Sequence, residues 1–351
     1  MKHLQNRSCD MKIIHFGIIG CGVISEWHAS VIEEIEGAKL LGAFDQNTER
    51  LATFCEKHTC RAFCTLEELL ACKEIDVVCI CTPSGTHATL AIQAANAGKN
   101  IVVEKPMAIT KEQLDAVVEA VDAHGVQLTS ISQCRYAEMV QRVKKMIDSG
   151  ELGKLLVGDV YMKLYRSPEY YASAGWRGTW AMDGGGALMN QGIHGIDILQ
   201  YLMGPVKSVS AVCKTLARDI EVEDAAAAVV EYKNGAIGVI QGTTCITPGY
   251  PCRIEIHGTK GTVVLENYEI VRLDIEGEVL VEEFVVASDS KTFQNPTSFS
   301  TDGHKQQFED FVNALRNTTK PMIDVHEGRM PVDVILGIYE SNQKGEKVTI
   351  A

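Results

Sequence analysis

The residues best placed by type and spacing to do chemistry are Glu104 and Lys105, followed by Pro106. They close the apolar run Asn100-Ile101-Val102-Val103, which reads as a buried parallel strand. Acidic and basic side chains are rarely fully buried unless paired, so a carboxylate and an ammonium at such a strand tip belong at the mouth of a crevice. In open α/β sheets that mouth is where ligands bind. Pro106 fixes its own φ and biases Lys105 toward extended geometry, which aims the lysine. An ammonium so aimed can stabilise a developing alkoxide or relay a proton. A surface salt bridge beside a turn proline is the plainer reading of the tripeptide alone.

A second centre lies on the segment from Leu188 to Leu202. Its apolar positions 193, 196, 198, 199 and 202 have helical spacing, and Gly204-Pro205 ends it. Asn190 and His194, four apart, project from one face, with Asp197 near it. A helical histidine is more often structural than catalytic. The preceding Gly184-Gly185-Gly186 shifts that balance, because glycines let another body approach closely. Arg166, Trp176 and Arg177 sit among Tyr165, Tyr170, Tyr171 and Trp180. Rings beside guanidinium groups suit a sugar bearing a carboxylate or phosphate, so this stretch is the expected substrate wall. The bland alternative is a solvated loop with packing aromatics.

A cofactor site is written near the start. The β-rich run from Met11 to Ile19 feeds into Gly20-Cys21-Gly22-Val23-Ile24-Ser25, the G-x-G-x-x-G pattern with serine third. Gly20 and Gly22 permit a tight turn, and the amides around Val23 and Ile24 open a helix onto a pyrophosphate. A second strand, 39–44, ends at Asp45, suited to the ribose 2′-hydroxyl of NAD. Gln46-Asn47-Thr48 offers a 2′-phosphate no cation, and Asp45 repels one, so NAD is expected over NADP. Arg50, one turn into the next helix, is the nearest cation, and an ordinary helix cap is the plain alternative for Asp45. Thr82-Pro83 follows another strand tip and would line the crevice with Glu104 and Lys105, whereas His87 reads as structural.

Taken together, the glycine turn, Asp45, Thr82-Pro83 with His87 and Glu104-Lys105-Pro106 resemble the glucose-fructose oxidoreductase/inositol dehydrogenase/MocA (Gfo/Idh/MocA) family. Gly184 to Leu188 leading to His194, Gly258-Thr259-Lys260-Gly261 and the tail Pro321…Gly328-Arg329 extend the likeness over nearly the whole chain from Met11. The resemblance implies an NAD-dependent dehydrogenase or reductase acting on a secondary alcohol of a sugar, cyclitol or sugar nucleotide. His194 is then the candidate acid/base and Lys105 the alkoxide stabiliser or proton relay, with the roles exchanged if the lysine pKa is depressed. Asn190 stands where inositol dehydrogenase-like members carry Asp. It can hold a hydroxyl but cannot act as a base, and with Gln191 it looks like the family's nucleotide-sugar 3-dehydrogenases. Two other activities are compatible with the fold: a redox-assisted glycosidase with tightly bound NAD, and a non-catalytic NAD sensor.

These residues need a scaffold. Strands near 12–19, 39–44, 61–63, 76–81, 100–103 and 126–130 alternate with helices near 24–34, 48–58, 66–71, 86–97, 110–124 and 138–149, the pattern of a Rossmann doubly wound parallel sheet. Residues 11–132 are read as the NAD-binding domain after a polar extension, 1–10, and 133–351 as a substrate-binding and oligomerisation domain. In the latter, strands at 155–165, Val206 to Lys214, Ala225 to Glu231, Ile237 to Gly242, Ile254 to Gly258 and Thr262 to Glu266, with the hairpin signal Asn234-Gly235, predict a large, open, mostly antiparallel sheet in an α+β arrangement. The family's sheet mediates dimers or tetramers through its exposed face, and a wide apolar sheet with few covering helices supports a homo-oligomer here.

Composition sets bounds. The 351 residues suffice for two domains, and the net charge of −13 argues against a nucleic-acid partner while leaving an anionic substrate open. No apolar run approaches the ~20 residues of a membrane span, and the first ten residues lack a signal-peptide core. The 12 cysteines are scattered without a C-x-x-C. Cys55, His58, Cys60 and Cys64 match no zinc spacing, so no metal is expected. So many unpaired thiols imply a reducing cytoplasm.

Overall fold

The computed structural model describes residues 12–282 and 302–350. Six short strands, β1 (Ile14–Ile19), β2 (Ala38–Phe44), β3 (Arg61–Ala62), β4 (Val77–Ile80), β5 (Asn100–Val103) and β6 (Leu128–Ser130), pair in parallel in the order β3-β2-β1-β4-β5-β6. Between them run α1 (Val23–Glu34), α2 (Thr48–Lys57), α3 (Leu66–Ala71), α4 (His87–Asn96) and α5 (Lys111–His124). Strand order reverses between β1 and β4, and that switch point opens a crevice at the strand tips. Local chemistry sets the helix ends. Thr110 Oγ1 accepts from Gln113 N at 3.2 Å while Gln113 Oε1 accepts from Ile109 N at 3.1 Å, and Gly125 ends the helix at φ +61°.

After α6 (Glu138–Asp148) a second sheet begins: β7 (Leu155–Lys163), then β8 (Val206–Lys214), β9 (Ala225–Tyr232), β10 (Ile237–Thr243), β11 (Arg253–Gly258), β12 (Gly261–Glu266), β13 (Glu269–Ile275), β14 (Glu278–Glu282) and β15 (Val348–Thr349). The order is β14-β13-β12-β11-β7-β10-β9-β8-β15, and only the central β7–β10 pair is parallel. The strand alternation seen in the sequence stopped at Glu266; β13 and β14 extend the sheet beyond it. The long helix expected from Leu188 is instead a π-helical turn, Ala187–Gly192, that passes into α8 (Ile193–Met203). The wall segment holds a one-turn helix, α7 (Pro168–Ala172).

Two C-terminal helices that the sequence reading left unassigned complete the molecule. In α9 (Asp302–Asn317), Phe308 and Phe311 join the core around Phe16, Ile18 and Ile32, so α9 lies on α1. The other, α10 (Val325–Lys344), packs on β8 and α8. The opposite side of the second sheet carries Val212, Val229, Ile237 and Leu280, each more than half exposed. No helix among the described residues is long and apolar enough to cross a membrane.

Candidate active site

A cleft of about 1450 Å³ runs from the glycine turn to the second sheet. That exceeds the range of about 300–1,000 Å³ usual for one small ligand and leaves space for two side by side. Gly20, Gly22, Val23, Ile24, Asp45, Thr82, Pro83, Glu104 and Lys105 line one end, and Trp176, Arg177, Asn190 and His194 the other.

The dinucleotide end fits its expected guest. Gly22 starts α1, and a Cβ placed on it would have open space rather than protein within 4 Å, so the turn leaves room for a pyrophosphate at the helix N-terminus. Ser25 is buried and donates to Gly22 O at 2.6 Å, as a small third-position residue should. Asp45 Oδ2 accepts from Cys21 N and Oδ1 from Asn47 N, both at 2.7 Å. The cap of α2 is Asn47, not Asp45, with its side chain accepting from Arg50 N at 2.8 Å. Arg50 Nη1 stands 3.7 Å from Asp45. His87 bridges Pro106 O and Thr82 O, 2.7 Å from each, and so ties the lysine loop to the neighbouring strand tip.

Glu104 corrects an expectation. It lines the crevice, but as a paired and largely buried carboxylate rather than a free one: Oε1 meets His28 Nε2 at 2.9 Å and Oε2 accepts from Lys105 N at 3.2 Å. Burial alone would raise its pKa. The His28 hydrogen bond and charge overcome that and hold it at about 2. Lys105 does reach the cleft, where Nζ donates to the main-chain carbonyl of Asn190 at 2.7 Å. Burial lowers its pKa, opposed by Glu104 and Asp183 and assisted by Arg177 and Arg166. His194 lines the same cleft; burial, then the Lys105 charge, push its imidazole down to about 3.

A polar chain surrounds them. Asn190 Nδ2 donates to Asp183 Oδ1 at 2.7 Å, and Asn190 Oδ1 accepts from Gln191 Nε2 at 2.8 Å. Gln191 Nε2 also reaches Tyr170 OH at 3.0 Å. Arg177 Nη1 donates to that hydroxyl, and its guanidinium lies 4.3 Å from the Tyr170 ring centre and 4.7 Å from that of Trp176. Arg166 sits one layer behind, buried, giving Nη2 to Gln191 Oε1 at 2.6 Å. Three other readings change. Trp180 lies outside this wall, edge-on to Tyr339 with Nε1 donating to Glu221 O at 3.1 Å. Asp197 is turned from the cleft into a buried fork with Arg135, which in turn holds Glu327. The glycine triplet admits the protein's own atoms rather than a ligand: a Cβ would meet the Ile109 side chain on Gly184, the Tyr339 hydroxyl on Gly185 and, at 1.8 Å, Glu223 O on Gly186.

The sequence reading passed over Asp183, His304 and Tyr268, and named Tyr170 and Gln191 only as neighbours of the residues it singled out. Asp183 and Gln191 had a local signal, each adjoining a residue already singled out. His304 and Tyr268 reach the cleft from α9 and from the β12–β13 turn, with nothing in their spacing to mark them.

Comparison with known proteins agrees with this geometry. Residues 14–132 match the oxidoreductase family with an NAD-binding Rossmann fold, and residues 140–264 match the GFO/IDH/MocA C-terminal domain. The WlbA dehydrogenase from Bordetella pertussis, solved in complex with NADH and UDP-GlcNAcA, is 35% identical, with 97% of this chain and 99% of that one covered at a TM-score of 0.85. Inositol 2-dehydrogenase from Rhizobium meliloti is 28% identical over 268 residues, 75% of this chain and 78% of its own. Myo-inositol 2-dehydrogenase from Thermotoga maritima is 25% identical over 347 residues, 96% and 98% of the two chains. The chain belongs to the GFO/IDH/MocA family and is an NAD-dependent oxidoreductase acting on sugars, cyclitols or sugar nucleotides.

Proposed function

We propose that this member of the GFO/IDH/MocA family moves hydride between NAD and a secondary alcohol of an acid-bearing sugar, with nucleotide-linked uronic acids as its substrate class. The observation that carries the reading is Lys105 Nζ donating to Asn190 O beside His194, with Arg177 at the same end of the cleft. Bound NAD supplies the hydride acceptor. Gly22, Val23 and Ile24 present the start of α1 to its pyrophosphate, and Asp45 stands where its adenine ribose hydroxyls would be held.

Lys105 takes the hydroxyl proton. Burial and the two arginines favour its neutral amine, the form that accepts a proton. His194, held near pKa 3, is an uncharged imidazole at neutral pH, so it orients the same hydroxyl by a hydrogen bond. The electrostatics of the cleft thus favour the exchanged roles rather than His194 as the base.

Arg177 argues for the acid. Its guanidinium meets two aromatic faces and a phenol and feels Asp183 without forming an ion pair among the described residues, and a carboxylate on the sugar would pair with it directly. The UDP-GlcNAcA bound by the similar WlbA dehydrogenase has this chemistry. A spectrophotometric panel of neutral sugars, cyclitols and UDP-GlcNAcA tests the reading. NADH should form fastest with UDP-GlcNAcA, and Arg177→Met should raise KM for it at least about tenfold, the loss of one charge-assisted pair, while leaving NADH affinity alone. Equal rates with neutral sugars, or an unchanged KM, would defeat the acid-bearing substrate.

The uncovered face of the second sheet is the proposed contact with further copies of the chain. Val212, Val229, Ile237 and Leu280 are exposed there, as an oligomer interface requires. Light scattering should give a dimer or tetramer, and Val229→Lys should weaken it; a monodisperse monomer would exclude this assembly.

A further inference from the structure

Asn190 has no charge, yet it occupies the centre of the site. Its amide nitrogen donates to Asp183 Oδ1 at 2.7 Å, and an ionised carboxylate accepts only, so the nitrogen must face inward and the oxygen toward Tyr170 and Gln191. Asp183 is itself fixed, since Oδ2 accepts from Gly178 N at 2.9 Å and the side chain is 2% exposed. The main-chain carbonyl of the same Asn190 receives Lys105 Nζ at 2.7 Å. A continuous run therefore links a buried carboxylate to the lysine through one residue.

We propose that Asp183 is the positioning carboxylate of this active site. It pins the Asn190 amide, whose main-chain carbonyl holds Lys105, and it supplies from one layer back the negative charge that an aspartate at 190 would place in the cleft itself. The proposal rests on Lys105 as proton acceptor. Because Asn190 cannot take a proton, Asp183 stays electrostatically coupled to Lys105 without becoming a second base. The other charged or titratable groups around the lysine are His87 on α4, Glu104 from the end of β5, Cys134 after β6, Arg166 after β7, Arg177 after α7, His194 on α8 and His304 on α9. Glu104 joins Asp183 in favouring the ammonium, whereas Arg177 and Arg166 oppose it.

The test reads Lys105 directly, so it does not depend on the substrate. Acetic anhydride acylates only the free amine, and mass spectrometry of the Lys105 peptide across a pH series gives the midpoint of its deprotonation. In Asp183→Asn that midpoint should fall by about half a pH unit or more, because a charge favouring the ammonium has gone. The swap Asp183→Asn/Asn190→Asp returns the charge and should return the midpoint. NADH fluorescence titration and thermal melting of the same preparations certify folding. A midpoint unmoved in folded Asp183→Asn, or moved in the single variant but not restored by the swap, overturns the proposal. Failure of the Lys105 reading itself shows elsewhere, as turnover retained in Lys105→Met.

Discussion

At the scale of single residues, the sequence was most legible where one side chain type serves one task. Asp45 closing β2, Gly20 and Gly22 in the first turn, and Lys105 after β5 all lie on the cleft they were read to line. The structure gives Asp45 a second task, because Cys21 N and Asn47 N both bond to it. Asp45→Ser with Gln46→Arg should therefore shift preference toward NADP by about tenfold or more, one lost repulsion and one gained ion pair, while loosening the turn enough to weaken NAD. Direct titration checks it, and wild-type protein binding NADP more tightly than NAD would refute it. His194 calls for a different experiment. An imidazole held near pKa 3 does not titrate in the working range, so His194→Asn should lower kcat by about tenfold or more and leave the acid limb of the pH profile in place. Dehydrogenation should rise with pH through the Lys105 pKa in both proteins. Loss of that limb in the variant would return the base to His194. The pairing of Glu104 was not legible because its partner, His28, is 76 positions away, and no local pattern announces such a pair.

At the scale of elements, the first sheet was readable because its central strands are short apolar runs and several of its helices carry a local cap or terminal glycine, as Thr110 and Gly125 do for α5. The π-helical turn at Ala187–Gly192 was not, because its cause is tertiary. Glu223, on β9's approach, accepts from Gly186 N at 2.8 Å, from Leu188 N at 2.9 Å and from Tyr339 OH at 2.9 Å, and so fixes the start of the turn that carries Asn190. Burial pushes this carboxyl up from 4.5 to about 6. The folded protein then holds the proton more tightly than the unfolded chain. Its stability contribution is complete below pH 4.5 and is lost as pH rises through about 6, about 2 kcal/mol in all. Subtracting the denaturant stability of Glu223→Gln from that of wild type at several pH values should expose this slope; a flat difference would contradict it. Arg135, Asp197 and Glu327 join the turn after β6 to α8 and α10. Asp197→Asn leaves the buried guanidinium short of a partner and should cost about 3–5 kcal/mol in the same assay. A loss within error would mean the fork is dispensable.

At the scale of the whole molecule, alternation of strand and helix told the doubly wound sheet from the meander that follows. It did not reveal that α9 returns to α1, because Phe308 and Phe311 read equally well as the core of any amphipathic helix. Nor did spacing show that the substrate loop closes on the cofactor side, where Gly85 N donates to Met182 O at 2.8 Å. The result is one cleft with Lys105 presented from one sheet and Asn190, His194 and Arg177 from the other segment. The most direct test of this arrangement is a single-turnover measurement with saturating NAD and UDP-GlcNAcA, following nicotinamide absorbance in wild type and in Lys105→Met. Wild type should form NADH in one burst. The variant should bind NAD within about twofold of wild type and form NADH at least about 100-fold more slowly, the scale of a lost general base. A variant that keeps the wild-type rate, or a wild type that forms no NADH from the acidic sugar nucleotide, would contradict the account.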